Sequence, residues 1–156
     1  MAEKYINIIH ERVALANKEE NKTVIEKMNS GWVVLRDNQI IPGYCILLSD
    51  PIVETINDLE KNKRNQFLMD MVIIGDALLT ALNADIINYM ILGNSDRSLH
   101  AHIHPRYKNE KEEYRKMPPF IYNIKNEPII PFDYEKHKDI IEKIKYELNN
   151  IRTNCT

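Results

Sequence analysis

The sequence predicts an α+β fold: an antiparallel sheet with a long packed helix, plus N-terminal and C-terminal helices. Three observations predict it. Two strand-like runs, at 32–35 and 44–48, are joined by a short polar link. One long apolar stripe at helical spacing occupies 58–82. Two more β-rich segments, at 86–92 and 98–104, follow it closely. Strands with short links pair antiparallel, and an apolar helix stripe needs a sheet to cover.

The elements follow in order. Residues 3–29 have helical periodicity: Tyr5, Ile6, Ile9, Val13 and Ala16 recur, as do Val24, Ile25 and Met28. The polar stretch 17–22 is placed to divide this segment into two helices, and Ser30-Gly31 to end it. Next comes a hairpin, with a turn at 36–39 and Pro42-Gly43 leading into the second strand. Asp50-Pro51 closes it, since proline cannot donate to a ladder. In the long helix Phe67, Leu68, Met71, Val72, Gly75, Leu78, Leu79 and Leu82 form the stripe, with Asn57 or Asp58 as its expected cap. Gly75 on the apolar side predicts close packing against the sheet. Residues 107–132, with Pro118, Pro119, Pro128 and Pro131, read as surface wrapping, and the charge run 108–116 as a solvated segment. A last helix at 134–151 turns Ile140, Ile141, Ile144, Leu148 and Ile151 inward.

Composition excludes several classes. Hydrophobic residues make up 44% and charged residues 28%, which is globular and not disordered. A formal net charge of −2 provides no basic field for nucleic acid and no polybasic stretch for a membrane surface. No leader-like apolar core opens the chain, and no apolar run approaches the ~18 residues of a span. The expectation is a cytoplasmic protein with neither nucleic-acid nor membrane partners. Cys45 reads as a buried free thiol and Cys155 as part of a frayed tail.

Three of the five histidines fall at positions 100, 102 and 104. A strand has a side-chain period of two, so His100, His102 and His104 share one face. Three rings there are costly if all are charged. Solvated surface histidines are the bland explanation and fit poorly. Zinc ligation and catalysis fit equally well on spacing alone. His10 and His137 read as ordinary surface residues.

The neighbouring residues separate these readings. The segment from Gly93-Asn94 through Ser98-Leu99-His100-Ala101-His102-Ile103-His104 to Pro105-Arg106-Tyr107 resembles the signature of the histidine-triad superfamily, in the branch of diadenosine polyphosphate hydrolases. Pro42-Gly43 and its strand resemble the family's Pro-Gly strand. The resemblance implies a single histidine-triad-like domain over 1–156, with a core at about 30–107, an N-terminal helical segment 3–29 and a C-terminal extension 108–156. Anchored on Gly93-Asn94 and Pro105-Arg106, the triad positions are Ser98, His100 and His102. The first triad histidine is therefore a serine, and His104 is an extra.

The resemblance further implies a nucleotidyl hydrolase or transferase that cleaves a phosphoanhydride, phosphoester or phosphoramidate at the α-phosphorus. His100 is the expected nucleophile and His102 the hydrogen-bond partner of the phosphate. Asn94, Ser95, Ser98 and His104 are expected at the substrate, and Arg106 either at the distal phosphates or as a surface arginine holding a carboxylate. Asp37 and Asn38 are expected at the ribose, because Arg36 stands where the family often has an acidic or amide residue. If the first triad position works through its backbone carbonyl, Ser98 can serve; if it works through an imidazole, turnover suffers. The implied partners are a nucleotide or dinucleoside polyphosphate and a second copy of the chain, paired through the long helix and a strand edge. No cofactor is called for, and a divalent metal would come with the polyphosphate substrate. The alternatives are a nucleotide-binding module without turnover and a zinc protein using the same histidines.

Overall fold

The computed structural model describes residues 7–154. Five antiparallel strands form one sheet in the order β1-β2-β3-β5-β4. They are β1 (Val24–Met28), β2 (Gly31–Leu35), β3 (Cys45–Ser49), β4 (Ile86–Met90) and β5 (His100–Arg106). Around them lie α1 (Ile8–Asn17), α2 (Lys61–Leu82), α3 (Glu112–Arg115), α4 (Ile121–Ile124) and α5 (Tyr134–Asn154). The predicted α+β class, long helix and C-terminal helix are all present.

The N-terminal segment differs from expectation. Val24–Met28 is an edge strand, not a second helix. Its register shifts between Val24 and Glu26, which leaves Ile25 and Met28 buried three residues apart. That spacing imitates a helix. Ser30-Gly31 belongs to the hairpin turn: Met28 pairs with Gly31, and Asp70 of α2 accepts from the Ser30 amide and hydroxyl at 2.8 and 2.6 Å. Tyr5, Ile6 and Cys155 lie outside the described residues. Cys45 is a buried free thiol, as expected.

One sheet face is the main core. Val33, Leu35, Cys45, Leu47, Ile87, Ala101 and Ile103 meet Phe67, Ile74, Ala77 and Leu78 of α2 and Ile141, Ile144 and Leu148 of α5. By length and composition alone α2 could cross a membrane. Its inward residues Phe67, Ile74, Ala77 and Leu78 are spent on the sheet and α5. The stripe read from the sequence is wider than the buried strip, since Leu68, Val72 and Leu79 are exposed. Gly75 does pack closely: a Cβ there would lie 1.9 Å from the Tyr89 hydroxyl. Neither Asn57 nor Asp58 caps α2. Asp58 instead accepts from the Thr55 amide and hydroxyl in a 3-10 turn, Ile56–Asp58, ahead of it.

On the opposite face, α1 lays Ile9 and Val13 over Val34, Ile46 and Leu48. Most of 107–132 wraps the surface as expected, but α3 and α4 interrupt it and bury Tyr114 and Ile121.

Candidate functional site

Strand β5 builds the site. Ala101 and Ile103 point into the main core, so His100, His102 and His104 point to the other face. The cross-strand register sets their neighbours. Leu48 stands opposite His100 and Ile46 opposite His102. Cys45 pairs with Ile103 and the Arg36 amide bonds the Tyr44 carbonyl, so Arg36, Tyr44 and His104 stand abreast across three strands. The rings of His100 and His102 are edge-on, with centroids 4.8 Å apart. Those of His102 and His104 are 6.1 Å apart.

His100 has a defined orientation. Its Nδ1 lies 2.6 Å from the Ser98 carbonyl oxygen. A carbonyl can only accept, so Nδ1 carries the hydrogen. In the neutral ring Nε2 then presents a lone pair. A cleft of about 260 Å³ borders His100 and Ser98, walled by Thr55, Ile56, Leu92 and Gly93. A larger cleft of about 490 Å³, lined by Pro42, Tyr107 and Tyr122 among others, borders none of the three histidines.

His102 is half-buried, and its Nδ1 lies 2.5 Å from the Tyr44 hydroxyl. Burial, then the neighbouring His100 and Arg36, push its pKa down to about 4. His104 is buried beside the Tyr44 ring, centroids 3.8 Å apart, and its Nδ1 has no hydrogen-bond partner. Burial, then His102, Arg106 and Arg36, push it down to about 3, against a hydrogen bond with the Asn88 backbone. Both rings are thus neutral at pH 7, which removes the charge repulsion of a histidine row.

Several expected substrate residues are otherwise occupied. His104 is 3% exposed and packs on the Tyr44 ring. Ser98 is fully buried, and its hydroxyl shares hydrogen bonds with the Asn7 side chain at 2.9 and 3.3 Å. Its contribution is the carbonyl. Arg106 is buried and pairs with Glu110 at 2.9 Å, while its other donors reach Asn88 and the Tyr114 and Met117 carbonyls. It has no donor to offer a phosphate. Burial alone would raise the Glu110 pKa, but hydrogen bonds from Arg106, Tyr122 and the Tyr107 amide hold it below the usual carboxylate range. Asp37 pairs with Arg12 of α1, and the Asn38 side-chain oxygen accepts from the Ile40 and Ile130 amides. These contacts tie the loop after β2 to α1 and to residue 130. Asn94 and Ser95 are exposed in the β4–β5 connection, in the same loop as Gly93 and Arg97 of the smaller cleft wall. His10 is exposed as expected, whereas His137 is buried, with Nδ1 2.7 Å from the Asp133 carbonyl.

Sequence reasoning missed three site residues: Tyr44, Arg36 as its partner, and Asn7. Strand parity places Tyr44 on the histidine face, but only once the β3–β5 register is known. Among the described residues, no group of three or more His, Cys, Asp or Glu side chains is arranged to hold a metal ion.

No family model matches the chain, and no curated protein matches it. Solved structures do. A hypothetical histidine triad nucleotide-binding protein from Sulfolobus tokodaii is similar at a TM-score of 0.70 and 13% identity, over 91% of this chain and 93% of that one. A Hit-like protein from Bartonella henselae is similar at 0.68 and 17% identity, over 94% and 99%. A Plasmodium falciparum diadenosine triphosphate hydrolase is similar at 0.62 and 15% identity, over 83% and 78%. The chain has the histidine-triad fold.

Proposed function

We propose that the protein binds nucleotides and cleaves them at the α-phosphorus through a covalent nucleotidyl-histidine on His100. The 2.6 Å contact between His100 Nδ1 and the Ser98 carbonyl carries this reading. It orients the ring and leaves Nε2 as the nucleophile. Nε2 bonds to the α-phosphorus while the bond to the leaving oxygen or nitrogen breaks, its electron pair going to the leaving group. Water then attacks the same phosphorus and the phosphorus–nitrogen bond breaks. This frees the nucleoside monophosphate, returns the electron pair to His100 and releases a proton. His102 would donate to the phosphate oxygens as their charge develops. Asn94 and Ser95 would supply neutral donors from their exposed loop. The substrate class is a dinucleoside polyphosphate or a nucleoside phosphoramidate.

Ser98 favours a second reading. Its hydroxyl is tied to Asn7, so no third imidazole assists the leaving group. A nucleotide-binding module without turnover follows if that assistance is indispensable.

Mass spectrometry separates the two. The protein is incubated with dinucleoside polyphosphates or nucleoside phosphoramidates and quenched in alkali. A nucleotidyl adduct on His100, absent from His100→Asn, is the expected result. An adduct on His102 would reassign the nucleophile. Tight nucleotide binding with neither adduct nor product would leave the binding module.

A further inference from the structure

We infer that Tyr44, with the Arg36 cation over its ring, is a positioning residue that fixes His102 as an Nε2–H donor toward the substrate. Its catalytic consequence rests on the function proposed above; the tautomer itself does not.

Hydrogen counting leads to this assignment. The Arg36 guanidinium lies over the Tyr44 ring, its carbon 5.4 Å from the centroid. The Tyr44 hydroxyl meets His102 Nδ1 at 2.5 Å, the one hydrogen bond it makes among the described residues. Tyr44 is 7% exposed, and a buried phenol hydrogen needs an acceptor. His102 Nδ1 is thus the acceptor. The neutral ring carries its hydrogen on Nε2, the nitrogen not engaged with Tyr44.

Charge supports the same arrangement. Arg36 makes no ion pair among the described residues. Its uncompensated positive charge opposes protonation of His102, which keeps Nδ1 free to accept. Packing supports it too. Tyr44 is 7% exposed and lies against His104, so its ring cannot swing away from His102. The position where a sugar contact is expected from the family resemblance thus holds a cation that acts on a tyrosine instead.

The test reads the tautomer directly. Protein labelled with ¹⁵N-histidine is examined by long-range ¹H–¹⁵N correlation at pH 7.5, beside Tyr44→Phe, Arg36→Met and Arg36→Lys. In the parent, His102 is expected wholly as the Nε2–H form, with Nδ1 shifted as a hydrogen-bond acceptor. Tyr44→Phe keeps the ring packing and removes the donor, so the Nδ1 shift moves and the Nδ1–H form becomes populated. Arg36→Met moves it the same way, and Arg36→Lys, which keeps the charge, moves it less. With nucleotide substrate, kcat falls about 10- to 100-fold in Tyr44→Phe while KM changes little. A parent His102 in the Nδ1–H form, or an unmoved Nδ1 shift in Tyr44→Phe, overturns the inference. Tautomer changes as expected in a protein that cleaves no nucleotide would uphold the inference and sink the proposed reaction.

Discussion

Arg106 shows how a residue can match a motif and serve another end. Its side chain is 2% exposed and the carboxylate of Glu110 beside it 7% exposed. Removing one member of such a pair leaves the other charge buried and unpaired, which costs far more than the pair is worth intact. Arg106→Met is therefore expected to lower unfolding stability by about 3–5 kcal/mol, read from urea denaturation. Arg106→Met with Glu110→Gln should recover part of that loss. A variant of unchanged stability but weakened nucleotide affinity would place Arg106 at the phosphates instead. The histidines themselves were legible, because alternation in a strand is a local pattern. Their partners were not. The Ser98 carbonyl is a backbone group, and Tyr44 and Asn7 arrive from distant segments whose register no local pattern encodes.

At the scale of elements, the sequence was readable wherever one period ran uninterrupted. Helix α5 turns Ile141, Ile144 and Leu148 inward as its spacing predicts. Strand β1 mimics a helix because its bulge replaces alternation with a three-residue step. The apolar stripe of α2 is wider than its buried strip, since hydrophobicity marks what avoids water without naming what covers it. Leu68, Val72 and Leu79 stay exposed on one side of α2, and Gly75 on the same helix touches the exposed Tyr89 of edge strand β4. An apolar helix face beside an unpaired strand edge fits a two-fold pairing with a second copy. Sedimentation equilibrium is expected to give twice the chain mass. Val72→Arg should give the monomer mass with an unchanged circular-dichroism spectrum. A monomeric parent at micromolar concentration would remove the pairing.

The whole molecule should register the two neutral histidines as a pH dependence of stability. The ordinary histidine pKa is about 6.5. His102 and His104 are held down to about 4 and about 3 in the folded protein. Above pH 6.5 both rings are neutral whether the chain is folded or not, so they add no slope. Below 6.5 the unfolded chain takes up protons that the native protein refuses, and stability falls with falling pH. The decline continues until each folded ring protonates, near 4 for His102 and near 3 for His104. Each ring contributes at most about 1.4 kcal/mol per pH unit, and His102, being only partly buried, contributes less than that. Carboxylates such as Glu110 add a loss of the same sign, but chiefly around and below their ordinary value near 4.5. The interval from pH 6.5 to 5 therefore belongs mainly to the histidines. Urea midpoints measured at pH 7.5, 6.0 and 5.0 should fall progressively in the parent. His104→Phe keeps an aromatic ring against Tyr44 and removes one titrating group, so its midpoints should fall less steeply. Parallel slopes in the two proteins would mean that His104 does not stay neutral in the fold.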